Sequence, residues 1–215
     1  MGMFLRRGPA PKLGTPLADI AEGTLIKLNE NGAPIEFYVA KHDYEPGLNG
    51  SGRTLLVRKD CYDMRVFNSS GVSFSGSGMD TWLNNTWLKL LDADVQSAIS
   101  ETKFYYTPGD GNYTVATLQR AVFLLSVTEL GKSASKGNTE GTALSSAVCS
   151  QLAIAYRNGS AVAQWTRTPY TNGLRYVYYL NSSGSIAGSG SGNSFGSRPV
   201  FTLPSEFLLT DDMLA

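Results

Sequence analysis

The sequence predicts a single α+β domain, in which a twisted, mainly antiparallel sheet carries two helical regions and a loop-rich C-terminal half. Three observations lead to this fold class. One stretch places its apolar residues at helical spacing, several short stretches alternate apolar and polar residues, and the last third is rich in Ser, Gly and Tyr. The chain has 215 residues, of which 42% are hydrophobic, and is therefore long enough to bury one good core.

Charge balance and the lack of long apolar runs argue against a nucleic-acid-binding or membrane protein. Lys and Arg together number 18, as do Asp and Glu, so no net field attracts nucleic acid or an anionic membrane. The first residues lack the apolar run of a signal peptide, and no segment is apolar for the ~20 residues of a spanning helix. We therefore predict a protein made in the cytoplasm without a signal peptide, with no nucleic-acid partner and no membrane insertion.

Cysteine and histidine are too few for many kinds of chemistry. Cys61 and Cys149 are the only cysteines, and His42 is the only histidine. Two cysteines do not make a disulfide scaffold, so both are predicted to be free, with Cys149 on a helix. A lone histidine removes most His-dependent metal sites and argues against a Ser-His-Asp triad. We predict no catalytic residue, no metal and no cofactor.

The first 22 residues differ from the rest. Pro9, Pro11, Gly14 and Pro16 prevent regular structure, and the apolar residues between them are scattered. We predict an extended N-terminal arm over residues 1–22, followed by a domain over residues 23–215. The arm is either a disordered tail or a segment that orders on a neighbouring subunit of an assembly.

Residues 78–99 form the predicted helical centre. Met79, Trp82, Leu83 and Trp87 lie on one face of a helix, and Asn84-Asn85 is expected to break it into two short pieces. Asp92 then starts the second piece by accepting from its free amides. A contiguous buried core is predicted to include Trp82, Trp87, Leu90, Phe123, Leu125, Leu152, Trp165, Val200 and Phe201.

The remaining elements follow from alternation and turn residues. Strands are predicted over 25–28, 35–39, 54–62, 103–107 and 121–127. The last of these is apolar enough for a central position. A second helix is predicted over 145–157, ended by a left-handed cap at Asn158-Gly159. The last third should form a β-meander from the strands 161–167, 174–180 and 198–203.

Several short motifs occur in a characteristic order along the chain. They are Thr54-Leu55-Leu56-Val57-Arg58, Trp82-Leu83-Asn84, Phe123-Leu124-Leu125-Ser126, Glu129-Leu130-Gly131, Glu140-Gly141-Thr142, Trp165-Thr166-Arg167-Thr168-Pro169 and Ser197-Arg198-Pro199-Val200-Phe201. With them, residues 23–205 resemble an uncharacterised family of domains from gut bacteria and their phages. That family is similar in fold to the C-type-lectin and formylglycine-generating-enzyme-like group, so the resemblance implies a C-type-lectin-like domain.

The resemblance does not carry the activities of that fold group over. Formylglycine-generating enzymes use a close cysteine pair near the C-terminal end of the domain, and Cys61 and Cys149 do not occupy such positions. The Glu-Pro-Asn sugar-binding motif of calcium-dependent lectins is absent. Two acidic pairs could ligate calcium, but Asp92/Asp94 is better explained as a helix start and Asp211/Asp212 as a solvated tail. The group also contains phage and bacterial ligand binders with variable C-terminal loops, an analogy at the level of fold alone.

The region 156–195 is the candidate binding surface, because it combines tyrosines with Asn, Ser and Gly, a mixture typical of binding loops. If Val177 faces the core, alternation along the strand exposes Tyr176 and Tyr178 on the other side. The loops 169–173 and 181–195 flank that strand. An ordinary Ser/Gly-rich meander with tyrosines on the sheet is the alternative. The predicted ligand-binding residues, on a shallow and uncharged patch suited to a glycan or a protein rather than an anion, are Tyr170, Asn172, Tyr176, Tyr178, Asn181 and Asn193.

The leading functional hypothesis is a non-catalytic ligand-binding protein, of adhesin or receptor-binding type, on a phage particle or a bacterial surface assembly. Its partners would be a host-surface glycan or protein, and neighbouring subunits through residues 1–22. One alternative is a purely structural virion subunit that uses the arm for assembly. A second is an enzyme of the formylglycine-generating type, against which the lone histidine and the distant cysteines count.

Overall fold

The computed structural model describes residues 14–172 and 175–214. Its strands, numbered β1 to β16 in chain order, are Thr15–Pro16, Leu25–Glu30, Ala33–Lys41, Arg53–Arg58, Met64–Val66, Thr102–Tyr106, Ala116–Arg120, Val122–Phe123, Ala155–Arg157, Ser160–Val162, Gln164–Pro169, Tyr176–Leu180, Ile186–Gly190, Ser194–Gly196, Val200–Pro204 and Leu208–Leu209. The helices α1 to α4 are Pro46–Asn49, Gly78–Asn85, Ala93–Ala98 and Ser146–Leu152. The class is a sheet-rich α+β fold, as predicted.

Two five-stranded sheets organise the described residues, where the sequence predicted one. The first has the order β2-β3-β4-β15-β8 and is antiparallel throughout. Its opening hairpin turns at Asn31-Gly32, where both residues have positive φ (54° and 75°). Strand β15 lies beside β4, so the two ends of the long intervening segment are fixed next to each other.

The second sheet carries the candidate site. Its order is β13-β12-β11-β14-β5, antiparallel except for the parallel contact between β11 and β14. The predicted meander is therefore wrong in one respect. Strands β11 and β12 pair with each other, but β15 belongs to the first sheet, because it pairs with β4.

The core prediction is confirmed for most of its residues. Trp87 is fully buried, its ring lies against Phe37 and Phe201, and its Nε1 donates to Glu30 at 2.9 Å. Phe123, Leu125, Leu152, Trp165, Val200 and Phe201 are also buried. The remaining two predicted core residues, Trp82 and Leu90, are partly buried and pack against the core cluster.

The helical centre has three pieces where two were predicted. Helix α2 begins at the N-cap Ser77, whose side chain accepts from the Asp80 amide at 3.0 Å, and ends at Asn85. A 3₁₀ turn, Trp87–Leu90, follows before α3. Asp92 is the N-cap of α3, as predicted, but its side chain accepts from Asn29 Nδ2 at 2.8 Å and makes no capping bond.

Two other element predictions require correction. The helix predicted over 145–157 ends at Leu152, because Ala155–Arg157 forms a hairpin with β10. Asn158 and Gly159 do have positive φ (51° and 77°), but they make the turn of this hairpin and cap no helix. In the apolar stretch 121–127, only Val122–Phe123 is a strand, and it lies at the edge of the first sheet, not at its centre.

The described part of the predicted arm packs on the domain itself. Thr15–Pro16 pairs with Leu208–Leu209, and the Leu17 side chain is fully buried. Residues 14–22 are therefore part of the fold, whereas residues 1–13 of the predicted arm lie outside the described residues. Among the helices of the described part, none has the length and apolar character needed to cross a membrane.

The two core tryptophans provide a stability test. Truncating the fully buried Trp87 to Ala should reduce the free energy of unfolding by about 3–5 kcal/mol, because it leaves a cavity and removes a buried hydrogen bond. Urea denaturation at neutral pH measures this change. Trp82→Ala is the matched control and should lose clearly less, since Trp82 is partly exposed. An equal or larger loss for Trp82→Ala would contradict this packing.

Candidate functional site

Three tyrosine rings meet on one face of the second sheet. Tyr170 follows β11, and Tyr176 and Tyr178 occupy alternate positions of β12. The Tyr170 ring centroid lies 5.6 Å from that of Tyr176 and 4.3 Å from that of Tyr178. We call this surface, together with Gly188 and Gly190 on β13, the tyrosine ledge.

The glycines of β13 make room for the rings. A Cβ at Gly188 would overlap the Tyr170 phenol, so this ring can lie against β13 only because residue 188 has no side chain. Gly190 lies opposite Tyr176 in the register of the two strands. The nearest heavy atom to a Cβ built there is Asn193 Nδ2, 4.0 Å away, so the surface beside Tyr176 is open.

The loop of residues 131–139 covers Tyr178, the buried tyrosine of the ledge. The backbone N–H of Lys136 in this loop donates to Tyr178 Oη at 2.8 Å. The Lys136 carbonyl accepts from the backbone N–H of Thr171 at 2.7 Å. A Cβ on Gly137 would lie 3.1 Å from the Tyr178 ring, so the loop backbone packs closely on it. The loop and the ledge are therefore joined by direct hydrogen bonds.

This loop overturns the expected exposure of Tyr178. Tyr178 does lie on the same side of β12 as Tyr176, but it is only 3% exposed, whereas Tyr176 is 41% exposed. Alternation along the strand correctly predicted the direction of both side chains. It could not predict that a loop distant in sequence covers Tyr178. Tyr178 supports the ledge, and Tyr176 with the half-buried Tyr170 forms its accessible part.

The predicted patch is also not free of charge. The Lys136 ammonium lies 5.8 Å from the centroid of the Tyr170 ring, and Lys136 is exposed. Burial, with the neighbouring Tyr178, raises the pKa of Tyr170 above its ordinary value of 10.0. Tyr170 is therefore an uncharged phenol at neutral pH, and the Lys136 ammonium is a cation at the rim of the ledge.

The predicted asparagines lie at two different places. Asn193 Nδ2 donates to Ser189 Oγ at 2.7 Å, beside the ledge. Asn172 is exposed in the loop that leads towards Tyr176. Asn181 is at the opposite end of β12, where its side chain accepts from two amides of its own turn at 3.0 Å each. The structure therefore groups all the predicted site residues except Asn181 near one end of the sheet.

A second group of polar residues lies beneath this surface and was missed by sequence reasoning. The side chains of Arg167 and Glu129 are both 0% exposed. The guanidinium donates to both carboxylate oxygens, with Nη1–Oε2 at 2.6 Å and Nη2–Oε1 at 2.9 Å. It also donates to the carbonyls of Tyr105 and Leu124, at 2.9 and 2.7 Å. Arg167 is thus fully engaged inside the protein.

Glu140 completes this buried cluster. Its carboxylate accepts from the Thr107 backbone N–H and from Thr168 Oγ1, both at 2.7 Å. It lies 4.0 Å from Arg167 Nε. Since Glu129 and Glu140 stand on either side of residues 131–139, the cluster holds both ends of the loop that covers Tyr178.

The cluster changes the acidity of its members. Burial raises the pKa of Glu140. Burial and the charge of Glu129 raise the pKa of Tyr44, whose hydroxyl donates to that carboxylate. Burial alone would lower the pKa of Arg167, but the charge and hydrogen bonds of Glu129 raise it overall. Complete exclusion from solvent makes this arrangement a structural support and leaves no atom for a ligand to reach.

One signal for this cluster was present in the sequence. Glu129, Glu140 and Arg167 belong to the motifs that identified the family resemblance, and Arg167 interrupts a strand whose six residues are all buried. A charged residue in such a strand requires a partner, because an unpaired buried charge is very costly. The sequence alone does not tell which acidic residue supplies it.

Both cysteines are free, as predicted, and Cys149 lies on α4. Burial raises the pKa of Cys61 to about 11, so its thiol stays protonated at neutral pH. Cys149 lines an open depression of about 620 Å³ with Lys132, Leu144 and Ser146. Burial raises the pKa of this thiol as well. Neither cysteine therefore has the lowered pKa of an activated nucleophile.

Two short motifs that resemble a phosphate-binding loop and a Ser-x-x-Lys catalytic pattern lie in strands and loops without the structural context of those sites. The glycine-rich stretch 188–192 ends β13 and leads into the short strand β14, so it opens no helix that could bind phosphate. Ser133 and Lys136, which match a Ser-x-x-Lys pattern, lie in the loop 131–139. The part of the chain that the structure describes contains no group of three or more His, Cys, Asp or Glu arranged to hold a metal.

Comparison with known proteins identifies a family. Residues 51–205 match the family described as a domain of unknown function, DUF6273. No curated protein and no solved structure matches the chain. The matched range contains the whole tyrosine ledge and the Arg167, Glu129 and Glu140 cluster.

The buried ion pair gives a second stability test. Arg167→Met should reduce the free energy of unfolding by about 3–5 kcal/mol, because it leaves the Glu129 carboxylate buried without its partner. Urea denaturation at neutral pH measures the loss. Limited trypsin digestion should also cleave faster after Lys132 and Lys136, since the loop between the two glutamates loses its anchor.

Lys59→Met is the matched control for this variant. Lys59 pairs with Glu36 at 2.6 Å, but both side chains are more than a third exposed. Its loss should stay below about 1 kcal/mol. If Arg167→Met is no less stable than Lys59→Met and is cleaved no faster, the buried cluster does not hold the loop.

Proposed function

Because the chain belongs to the DUF6273 family, whose function is unknown, we propose a function from the geometry of its site: non-catalytic binding of a surface glycan on the tyrosine ledge. The observation that carries the proposal is that the Tyr170 ring meets the Tyr176 ring of β12, and that glycines of β13 lie opposite Tyr176 and Tyr178. A partly exposed aromatic ring beside open space fits the flat C–H face of a sugar ring. Tyr176 is among the most exposed large apolar residues of the described part.

Polar groups that suit sugar hydroxyls lie beside these rings. Asn172 and Asn193 are exposed near the same end of the sheet. The phenol groups themselves donate and accept hydrogen bonds, so the aromatic surface also has polar ends. Aromatic anchors with adaptable polar neighbours are the usual composition of a recognition surface.

The ledge is held in position before any ligand arrives. The Tyr170 N–H donates to the Tyr176 carbonyl at 2.9 Å, which closes the loop between the two strands. Tyr178 packs behind Tyr170 and is itself fixed by Lys136. Side chains that are already ordered lose little entropy on binding, which favours useful affinity from a small contact area.

The non-catalytic part of the proposal is supported by where the reactive groups lie. Arg167, Glu129 and Glu140 are excluded from solvent, and the pKa values of both thiols are raised. These features support binding over the formylglycine-generating alternative. The structural-subunit alternative relied on an arm, and the described residues of that segment, 14–22, pack on their own domain.

We also propose the finer fold and the setting of this function. The resemblance of the ordered motifs and the loop-rich C-terminal half support assignment to the C-type-lectin-like group. The same resemblance supports a place on a phage particle or a bacterial surface assembly. In that setting the ledge faces the surface of a host cell.

A binding assay with matched variants tests the proposal. Tyr176→Ala should weaken binding of the labelled protein to candidate host cells by about thirtyfold, because anchoring tyrosines are worth roughly 2 kcal/mol or more. Tyr156→Ala is the control. Tyr156 is 43% exposed, close to the exposure of Tyr176, but it lies on the separate β9–β10 hairpin. The Tyr156→Ala variant should therefore bind the cells as strongly as the wild type does.

Two further measurements separate the possible outcomes. Gly188→Ala adds no polar group but forces Tyr170 to move, and it should weaken binding without lowering the melting temperature as far as a core variant does. Periodate oxidation of the cells should abolish binding, whereas protease treatment should not. Wild-type binding by Tyr176→Ala, or loss of binding only after protease treatment, would contradict a glycan site on the ledge.

A further inference from the structure

The position of Lys136 leads to a more specific ligand. We infer that the tyrosine ledge binds an acidic glycan, with a sugar ring against Tyr170 and Tyr176 and its carboxylate beside the Lys136 ammonium. This inference rests on the proposed function and names the class of its ligand. It replaces the uncharged patch that was expected from the sequence.

The backbone of Lys136 is part of the ledge. Its N–H is bound to Tyr178, and its carbonyl accepts from both the N–H of Thr171 (2.7 Å) and the Thr171 hydroxyl (3.2 Å). Here the Cα of Lys136 is fixed by the residues that form the binding face, so its ammonium cannot move far from it.

The charge of Lys136 is not used within the described structure. The ion pairs formed there by Lys and Arg side chains involve Arg58, Lys59, Arg65, Arg120 and Arg167, and Lys136 is not among them. Its ammonium lies 5.8 Å from the Tyr170 ring centroid, a distance at which a cation is attracted to the ring face. The ring thus holds the cation near the ledge without neutralising it.

The nearby acidic side chain does not compete for this cation. Asp110 lies on the loop beyond Pro169, where Gly109 approaches the proline. Its carboxylate accepts from the amides of Val72 and Ser73 at 3.0–3.2 Å. The Asp110 carboxylate is thus turned to the backbone of Val72 and Ser73, and Lys136 stays available to a ligand that brings its own carboxylate. Arg175, which directly precedes Tyr176, is a second exposed cation of this segment.

The open surface beside Tyr176 determines which kind of anion fits. The Tyr170 phenol fills the space at Gly188, but Gly190 leaves open space on β13 beside Tyr176, and a sugar ring needs such a flat, shallow surface. An inorganic anion would need several converging donors, whereas the Lys136 ammonium stands beside aromatic rings. A uronic or sialic acid combines the C–H face that the rings match with the carboxylate that Lys136 matches.

The test uses acidic polymers and their neutral forms. The probes are polygalacturonate, hyaluronan and polysialic acid, each compared with its carboxyl-methyl-esterified form, and affinity is measured by calorimetry or biolayer interferometry. We expect at least one acidic polymer to bind, and esterification to weaken that binding about tenfold. Lys136→Met should weaken binding of the acidic form by a similar factor and leave binding of the ester unchanged.

Two variants serve as controls for Lys136→Met. Lys136→Arg should keep the preference for the acidic form. Lys89→Met makes the same change in net charge on an exposed residue of the Trp87–Leu90 turn, and it should bind like the wild type.

The remaining outcomes overturn one proposal or the other. Equal affinity for acid and ester, or an unchanged preference in Lys136→Met, refutes the acidic ligand. If no acidic polymer binds while Tyr176-dependent binding to cells persists, the inference fails and the proposed function stands. If binding to cells does not depend on Tyr176, the proposed function itself fails.

Discussion

The buried pair of Arg167 and Glu129 is the interaction on which the candidate site depends. Arg167 lies on β11, the strand next to the one that carries Tyr176 and Tyr178, and Glu129 lies just before the loop 131–139 that covers Tyr178. Glu140 directly follows this loop and lies 4.0 Å from the guanidinium. A buried ion pair adds little net stability relative to an apolar core, but it permits few alternative arrangements. We interpret this pair as the element that sets the position of the loop 131–139.

The tyrosine ledge follows from this constraint and from a missing side chain. The Lys136 N–H of the loop 131–139 donates to Tyr178 Oη, and Tyr178 packs behind Tyr170. Tyr170 in turn occupies the space that is left because residue 188 is a glycine. Only the outer ring, Tyr176, remains well exposed. Binding energy would therefore come from a surface whose aromatic rotamers are already fixed, with the Lys136 ammonium at its edge.

Local patterns in the sequence predicted the parts of the fold that depend on neighbouring residues. The spacing of Trp87 and its neighbours predicted a helical core segment, and alternation predicted that Tyr176 and Tyr178 point to one side. Contacts between distant segments were not predictable in this way. The pairing of Val200–Pro204 with Arg53–Arg58 and the covering of Tyr178 by Lys136 join residues far apart in the chain. A hairpin also replaced the end of a predicted helix, since Asn-Gly has the positive φ values required by either structure.

The central claim is that the ledge is preformed by its loop, and amide hydrogen exchange of the free protein tests it most directly. The amides of Lys136 and Thr171 donate to Tyr178 Oη and to the Lys136 carbonyl, so both should exchange slowly, like the Tyr170 amide that closes the sheet. The exposed neighbours Ser133 and Ser135 should exchange quickly and provide the internal reference. Exchange of Lys136 and Thr171 as fast as that of the two serines would show that the loop is not held on the ledge and would contradict this account.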